Sequence, residues 1–551
     1  MQQTTLCVPL EVKPESGPRL AALLTELCHS EDAQDFDGLG NFSRLQTELP
    51  SAHFLSMSVF GHTSYDPILV IEANFDGAQG PFWAQFERAL GPSIRDMLRC
   101  CKRPDDGAGP LHDAVTAKDS TAPIAPYLER RVQSPSVFHH GNRGMTRDRI
   151  RTEDELVKAL ETELDAGHHY RAMRPSEIHG ALRGALLGRF PLLDEAEPER
   201  IGRRDNIADW GRLLLFAAAV AAAALLPGAL LVTALGPALY LGVVALLALV
   251  AVLGLRREGG LAGLLPEPDI RRAAPPPRPL GKMLLFGIIA ALALVLLATP
   301  VLYLLPALAS LGLSLIGRAD PGTLWPLLGA VFHAALWSLA SLLALVPGLA
   351  WLLRWNERRD SRQDAPPIEE RKLAEIVRRE DRIVQNHMAS IVLIRPGVLR
   401  TVVIRAGHLG LHLVLRVLPR ARLGFLGSMR TVHFAHWAFL NNTSRLLFVS
   451  NFDHSWDSYL DDFIEKAHGG LTLAWGCSVG FPATRWLVRG GAQDGRRFKT
   501  WALASRAVSR FWYSAYPSLT VDRIERHADI TRGLRRRTLT DEEARAWLRL
   551  L

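Results

Sequence analysis

Residues 68–77 read ILVIEANFDG and residues 445–454 read RLLFVSNFDH, and the Asn-Phe-Asp they share lies 377 positions apart. Each run reads as a strand that pairs with the one before it around a polar turn. Other matches keep nearly the same separation. Lys13-Pro14 and Arg395-Pro396 are 382 apart, His53-Phe54 and His433-Phe434 are 380 apart, and Cys100 and Cys477 are 377 apart. Thr146-x-Asp148-Arg149-Ile150 returns 374 residues later as Thr520-x-Asp522-Arg523-Ile524. An offset that drifts smoothly along the chain marks a duplicated unit.

Each copy reads strand, helix, two strands, helix, strand, which is the ferredoxin-like order. In the first copy these are 4–12, 19–28, 53–60, 68–75, 82–101 and 136–140. In the second they are 387–394, 398–417, 431–440, 445–452, 459–468 and 511–516. The expected fold is therefore α+β: two ferredoxin-like repeats forming an intramolecular dimeric α+β barrel, interrupted by a four-helix transmembrane block. The divisions are 1–165 for the first repeat, 166–210 for a juxtamembrane helical linker, 211–355 for the membrane block, 356–379 for a charged linker and 380–551 for the second repeat and tail.

The membrane block follows from length. Residues 211–255 carry no charge except Arg212, and 283–316 and 324–353 carry none. A bilayer core needs about 20 apolar residues per helix. The first run is about twice that, and Pro227-Gly228 and Gly236-Pro237 both offer a break between two spans. Pro300 and Pro306 would kink the third span or end it. Arginines flank the block at 200, 203, 204 and 212, at 256, 257, 271, 272 and 278, and at 354, 358, 359 and 362. Positive loops face the cytoplasm, so four spans place both ends there. The net charge of +8 is accounted for largely by these flanks, and no separate basic face implies nucleic acid. The amino terminus shows no basic and apolar leader, and five unpaired-looking cysteines suit a reducing compartment.

The chemistry-bearing residues concentrate in the second copy: Asp381, Arg382, Asn386, His387, His433, His436, Trp437, Asp453, His454, Trp456 and Trp475. If strands 387–394 and 431–440 share a sheet, His387 and His433 project together with Asp453 at the end of the adjoining strand. His387, His433, Asp453 and Arg382 are then the expected catalytic set, for general acid/base work. His387, His436 and His454 are the expected cofactor-binding residues. Shared residues of a duplicated unit read as architecture and unshared ones as function. His387 faces Thr5 in the alignment of copies and His436 faces Ser56, whereas His433 and Asp453 keep His53 and Asp76. No spacing of His, Cys, Asp or Glu suits a metal site. His139-His140 and His168-His169 are adjacent pairs whose side chains diverge. Gly490-Gly491 lacks the phosphate-loop pattern, and His333 has no acidic partner within the spans.

The residues EDRIVQNH from 380, HFAHW from 433, SNFDHSWDSYLDDFI from 450, LVRGGAQDGRRFK from 487 and WYSAYPSLTV from 512 resemble a group of large bacterial membrane proteins. More distantly the pattern is similar to the dimeric α+β barrel superfamily, which includes dye-decolourising peroxidases, chlorite dismutases and cofactor-free monooxygenases. That resemblance implies a bacterial inner-membrane location, a lipid bilayer and a small apolar molecule as partners, and haem as a candidate cofactor. It implies a membrane-anchored oxidoreductase acting on a small apolar or lipid-derived substrate; the alternative is a non-catalytic sensor or scaffold binding a ligand or partner. The peroxidase motif Gly-x-x-Asp-Gly has its nearest likeness at 73–77, where Ala73 replaces the first glycine.

Overall fold

The computed structural model describes residues 3–31, 42–61, 65–166, 170, 172–260, 280–315, 324–360, 368–380, 384–417, 430–440, 444–487 and 489–551. Helix and sheet are mixed. Among the described residues ten strands run in chain order as β1 (Gln3–Glu11), β2 (Ala52–Phe60), β3 (Ile68–Asp76), β4 (Val137–His140), β5 (Gln385–Leu393), β6 (Val432–Leu440), β7 (Arg445–Asp453), β8 (Thr484–Arg485), β9 (Arg489–Gly490) and β10 (Ser509–Ser514).

Two antiparallel four-stranded sheets result, ordered β1-β3-β2-β10 and β4-β6-β7-β5, beside a small β8-β9 ribbon. Each large sheet takes its last strand from the opposite end of the chain. Before crossing, each of those segments hydrogen-bonds the sheet it leaves: Gln133 N–H donates to Cys7 O at 2.8 Å and Ala507 N–H to Ala389 O at 2.9 Å. The two sheets are thereby joined along both edges.

The separations found in the sequence return as backbone bonds. Lys13 N–H donates to Cys100 O and Arg395 N–H to Cys477 O; Asp76 N–H donates to Ser51 O and Asp453 N–H to Thr431 O. The register of β1 on β3 sets Thr5 opposite Asn74, and that of β5 on β7 sets His387 opposite Asn451. Both β2 and β6 slip register at the matching histidine, between Ala52 and Phe54 and between Val432 and Phe434.

Alternation gives each sheet two faces. Outward residues such as Leu6, Val8 and Leu10 pack beneath helices Gly17–Glu31 and Gln79–Arg99, and Phe448 and Trp437 pack beneath Trp456–Trp475. Inward residues from both sheets, among them Cys7, Val70, Ala389, Ala438 and Val449, form one apolar cluster between them. The helices that follow the two exchanged strands, Arg147–Ala166 and Val521–Arg535, pack with Pro175–Leu187 and Asp541–Leu548 in a further core.

Among the described residues five helices are long and apolar enough to cross a membrane: Arg203–Leu235, Pro237–Arg257, Gly287–Leu308, Trp325–Arg359 and Val398–Val417. They suggest a membrane protein. The first two part at Gly236, whose φ of +73° suits glycine, while Pro227 stays inside its helix. Pro300 and Pro306 likewise lie within one continuous helix, Leu280–Leu315. Small residues allow close approach: a Cβ on Gly254 would sit 2.4 Å from the Trp351 indole. The fifth helix, expected from its spacing as an element of the second copy, buries Ile404, His408 and Leu413.

Candidate functional site

The Asn-Phe-Asp triplet places three side chains in three environments, because neighbours on a strand face opposite ways. Phe75 stacks on Phe82 and Phe452 on Tyr459, each with ring centroids 4.1 Å apart, fastening strand to helix. Asp76 and Asp453 end their strands beside the bulged histidines. His433 Nε2 is 2.8 Å from Asp453 Oδ1, and Asp453 Oδ2 accepts the Val521 N–H at 2.8 Å. In the first half His53 Nε2 is 3.1 Å from Asp76 Oδ1, whose Oδ2 accepts the Arg147 N–H at 2.7 Å.

Both carboxylates therefore meet the first residue of the helix after an exchanged strand, where unpaired N–H groups and the helix dipole favour negative charge. Gln3 and Gln385, also 382 apart, donate to carbonyls of the loops leading into the same helices: Met145 O at 2.8 Å and Tyr516 O at 3.1 Å. The expected His433–Asp453 pair is thus assembled, and so is its twin. Asp76→Asn and Asp453→Asn are expected to lower stability alike, by about 1–3 kcal/mol each, in thermal unfolding followed by tryptophan fluorescence. A loss confined to the second half would argue for chemistry at Asp453 instead.

The residues that differ between copies collect elsewhere, in the space between the sheets. Glu72 of β3, whose counterpart is Val449, is 1 % exposed. Its Oε2 accepts the Ser56 hydroxyl at 3.0 Å, and Oε1 accepts the amides of Asn74 and, at 3.4 Å, Asn451 of the other sheet. Asn451 Oδ1 in turn accepts Trp512 Nε1–H at 2.8 Å. Thr5 Oγ1 donates to Asn74 Oδ1 at 2.8 Å and meets His140 Nε2 at 3.1 Å, so the imidazole N–H donates there. His436 Nδ1 stands 3.8 Å from Glu72 Oε1, and among the described residues neither of its ring nitrogens has a hydrogen-bond partner. His387 Nδ1 pairs with Ser509 Oγ at 2.6 Å, and its Nε2 has none.

Electrostatics sets the protonation of this cluster. Among the described residues no Lys or Arg lies within ion-pair distance of Glu72, so burial outweighs its three hydrogen bonds and pushes its carboxyl up to about 7. Burial also pushes His387 and His436 down to about 3, which keeps both imidazoles neutral. A carboxyl that exchanges its proton near neutrality, beside neutral imidazoles, can act as either acid or base.

Of the expected site residues, His387 and His436 are buried between the sheets, His433 and Asp453 form the helix-capping pair, and His454 is exposed in a left-handed turn at φ +66°. Arg382 and Asp381 lie outside the described residues. Glu72 lies outside the expected set, which falls in the second copy; its signal in the sequence is a lone acid inside an apolar strand. Haem does not fit around the two imidazoles: an axial histidine needs an open face for the macrocycle. Here the same-face neighbours Ala389, Ala438 and Val449 are packed in the inter-sheet cluster. Among the described residues no three His, Cys, Asp or Glu side chains are grouped to hold a metal ion. No protein-family model matches the chain, and neither does a characterised protein or a solved structure.

Proposed function

We propose that this chain is a membrane-anchored enzyme whose two ends, two ferredoxin-like repeats, close into one α+β barrel around Glu72 as general base. The exchanged strands, the recurring backbone bonds and the edge-to-edge joining of the sheets support the barrel. The arginine-rich flanks support a four-span block with both ends cytoplasmic, in a bacterial inner membrane, with Val398–Val417 belonging to the second repeat. A substrate reaching the barrel from the bilayer is small and apolar or lipid-derived. Glu72 takes a proton from a C–H next to a carbonyl of that substrate; the C–H bond breaks, its electron pair forms the C=C bond of an enolate as the carbonyl π pair moves to oxygen, and the proton rests on a carboxyl oxygen of Glu72. His436 stays neutral and offers a hydrogen bond. The oxidoreductase reading then requires a co-substrate oxidant such as dioxygen to accept the electrons.

The observation that carries the proposal is the buried Glu72 carboxyl at about 7, present in one repeat and replaced by valine in the other. The test is incubation of the full chain in D₂O with a total membrane-lipid extract, reading deuterium incorporation by mass spectrometry. Wild type is expected to label at least one compound and Glu72→Gln to label it at least ~100-fold more slowly. Equal labelling by both proteins would overturn the reading. The tight packing beside His387 and His436 favours a second reading, a non-catalytic sensor or scaffold, which predicts a compound that co-purifies unlabelled.

A further inference from the structure

Asp209 stands near the start of the first apolar helix, Arg203–Leu235, yet it is 1 % exposed. It receives Arg143 at 2.7 Å from the loop after β4, Arg416 at 3.1 Å from the last turn of Val398–Val417, and Arg212 at 3.3 Å from its own helix. One carboxylate thus ties the first membrane helix to segments from both ends of the chain, Arg143 after β4 and Arg416 before β6, where they meet at the β4-β6-β7-β5 sheet. The Arg416 guanidinium lies over the Phe138 ring, 4.7 Å from its centroid, and Phe138 packs on His140 at 4.8 Å. His140 bonds Thr5, Thr5 bonds Asn74, and Asn74 bonds Glu72. The contacts are continuous from the bilayer flank to the inter-sheet carboxyl.

We propose that Asp209 is a positioning residue that couples the first membrane helix to Glu72 through Arg416, Phe138, His140, Thr5 and Asn74. The coupling rests on the reading of Glu72 as the working group. Packed cores and ion-paired joints have discrete arrangements, so a shift of the helix reorders the next contact rather than dissipating. When the clamp is released, the β4 edge loosens and water approaches Glu72, which lowers its titration midpoint. Among the described residues the titratable groups around Glu72 are Cys7 opposite it on β1, His436 on β6, His387 of β5 beside His436 and, through Thr5 and Asn74, His140 on β4. None is a cation at neutral pH, so a change at Glu72 is read against a neutral background.

The experiment is an infrared pH titration of the full chain in lipid nanodiscs, with the Glu72 carboxyl band identified by its loss in Glu72→Gln. Asp209→Asn is expected to lower the midpoint by about 0.5 unit or more. Asp360→Asn, which frees Arg395 and Arg400 at the far end of the membrane block, is expected to leave it unchanged. If Asp209→Asn does not fold, Phe138→Leu cuts the same chain midway and is expected to shift the midpoint in the same direction. An unchanged midpoint in the folded variant, or equal shifts in Asp209→Asn and Asp360→Asn, would overturn the coupling. A shift without deuterium labelling by wild type would keep the coupling and reject the catalytic role of Glu72.

Discussion

Glu72→Gln is expected to raise stability at pH 8 by about 3 kcal/mol while removing the proton-transfer activity. Wild type folds around a carboxyl held up at about 7 against an ordinary value of 4.5. Between those two values the folded state keeps the proton that the unfolded chain has released, so stability falls as pH rises through the window. The loss is complete above about pH 7 and absent below 4.5. A shift of that size corresponds to about 3 kcal/mol. Glutamine has nearly the same shape, its carbonyl can keep the Asn74 and Asn451 amides, and the Ser56 hydroxyl can turn to accept its N–H. The histidines contribute alike to both proteins, so in unfolding curves measured between pH 4.5 and 8 the stability of the variant relative to wild type should rise by about 3 kcal/mol. Parallel curves would mean that Glu72 titrates like a solvated acid.

His436→Phe is expected to act at the other end of the pH scale. Burial holds the imidazole down to about 3 against an ordinary value of 6.5. In that window the unfolded chain binds a proton that the folded state refuses, so stability is lost as pH falls below 6.5. By pH 4 the loss from this one residue amounts to about 3 kcal/mol. His387 adds a loss of the same sign, and so does His139, pushed down to about 4 by burial. Because neither His436 nitrogen has a hydrogen-bond partner, phenylalanine should cost little at pH 7. At pH 4 the variant should hold about 3 kcal/mol more stability than wild type. Equal acid sensitivity in urea titrations at the two pH values would show that His436 is reached by solvent.

The long apolar helices and the succession of strands along the chain were legible because they depend on local properties. An apolar run of bilayer length declares itself without reference to anything distant, and a period-two strand ending in Asn-Phe-Asp declares its faces. Repetition added the pairing of distant segments, since both copies must solve the same packing problem: Phe75 on Phe82 and Phe452 on Tyr459, Asp76 and Asp453 on their helices. What the residues did not carry was the exchange of β4 and β10 between sheets. A strand's edge is a row of identical N–H and C=O groups, and which edge it joins is decided by the whole assembly. The exchange brings Trp512 to Asn451 and His140 to Thr5, in the network that surrounds Glu72, and burial turns an ordinary glutamate into a group that titrates near neutrality. The sequence by itself determined that these residues exist and that one copy lacks them; only the tertiary structure decided that they meet, because desolvation is a property of the place and not of the residue.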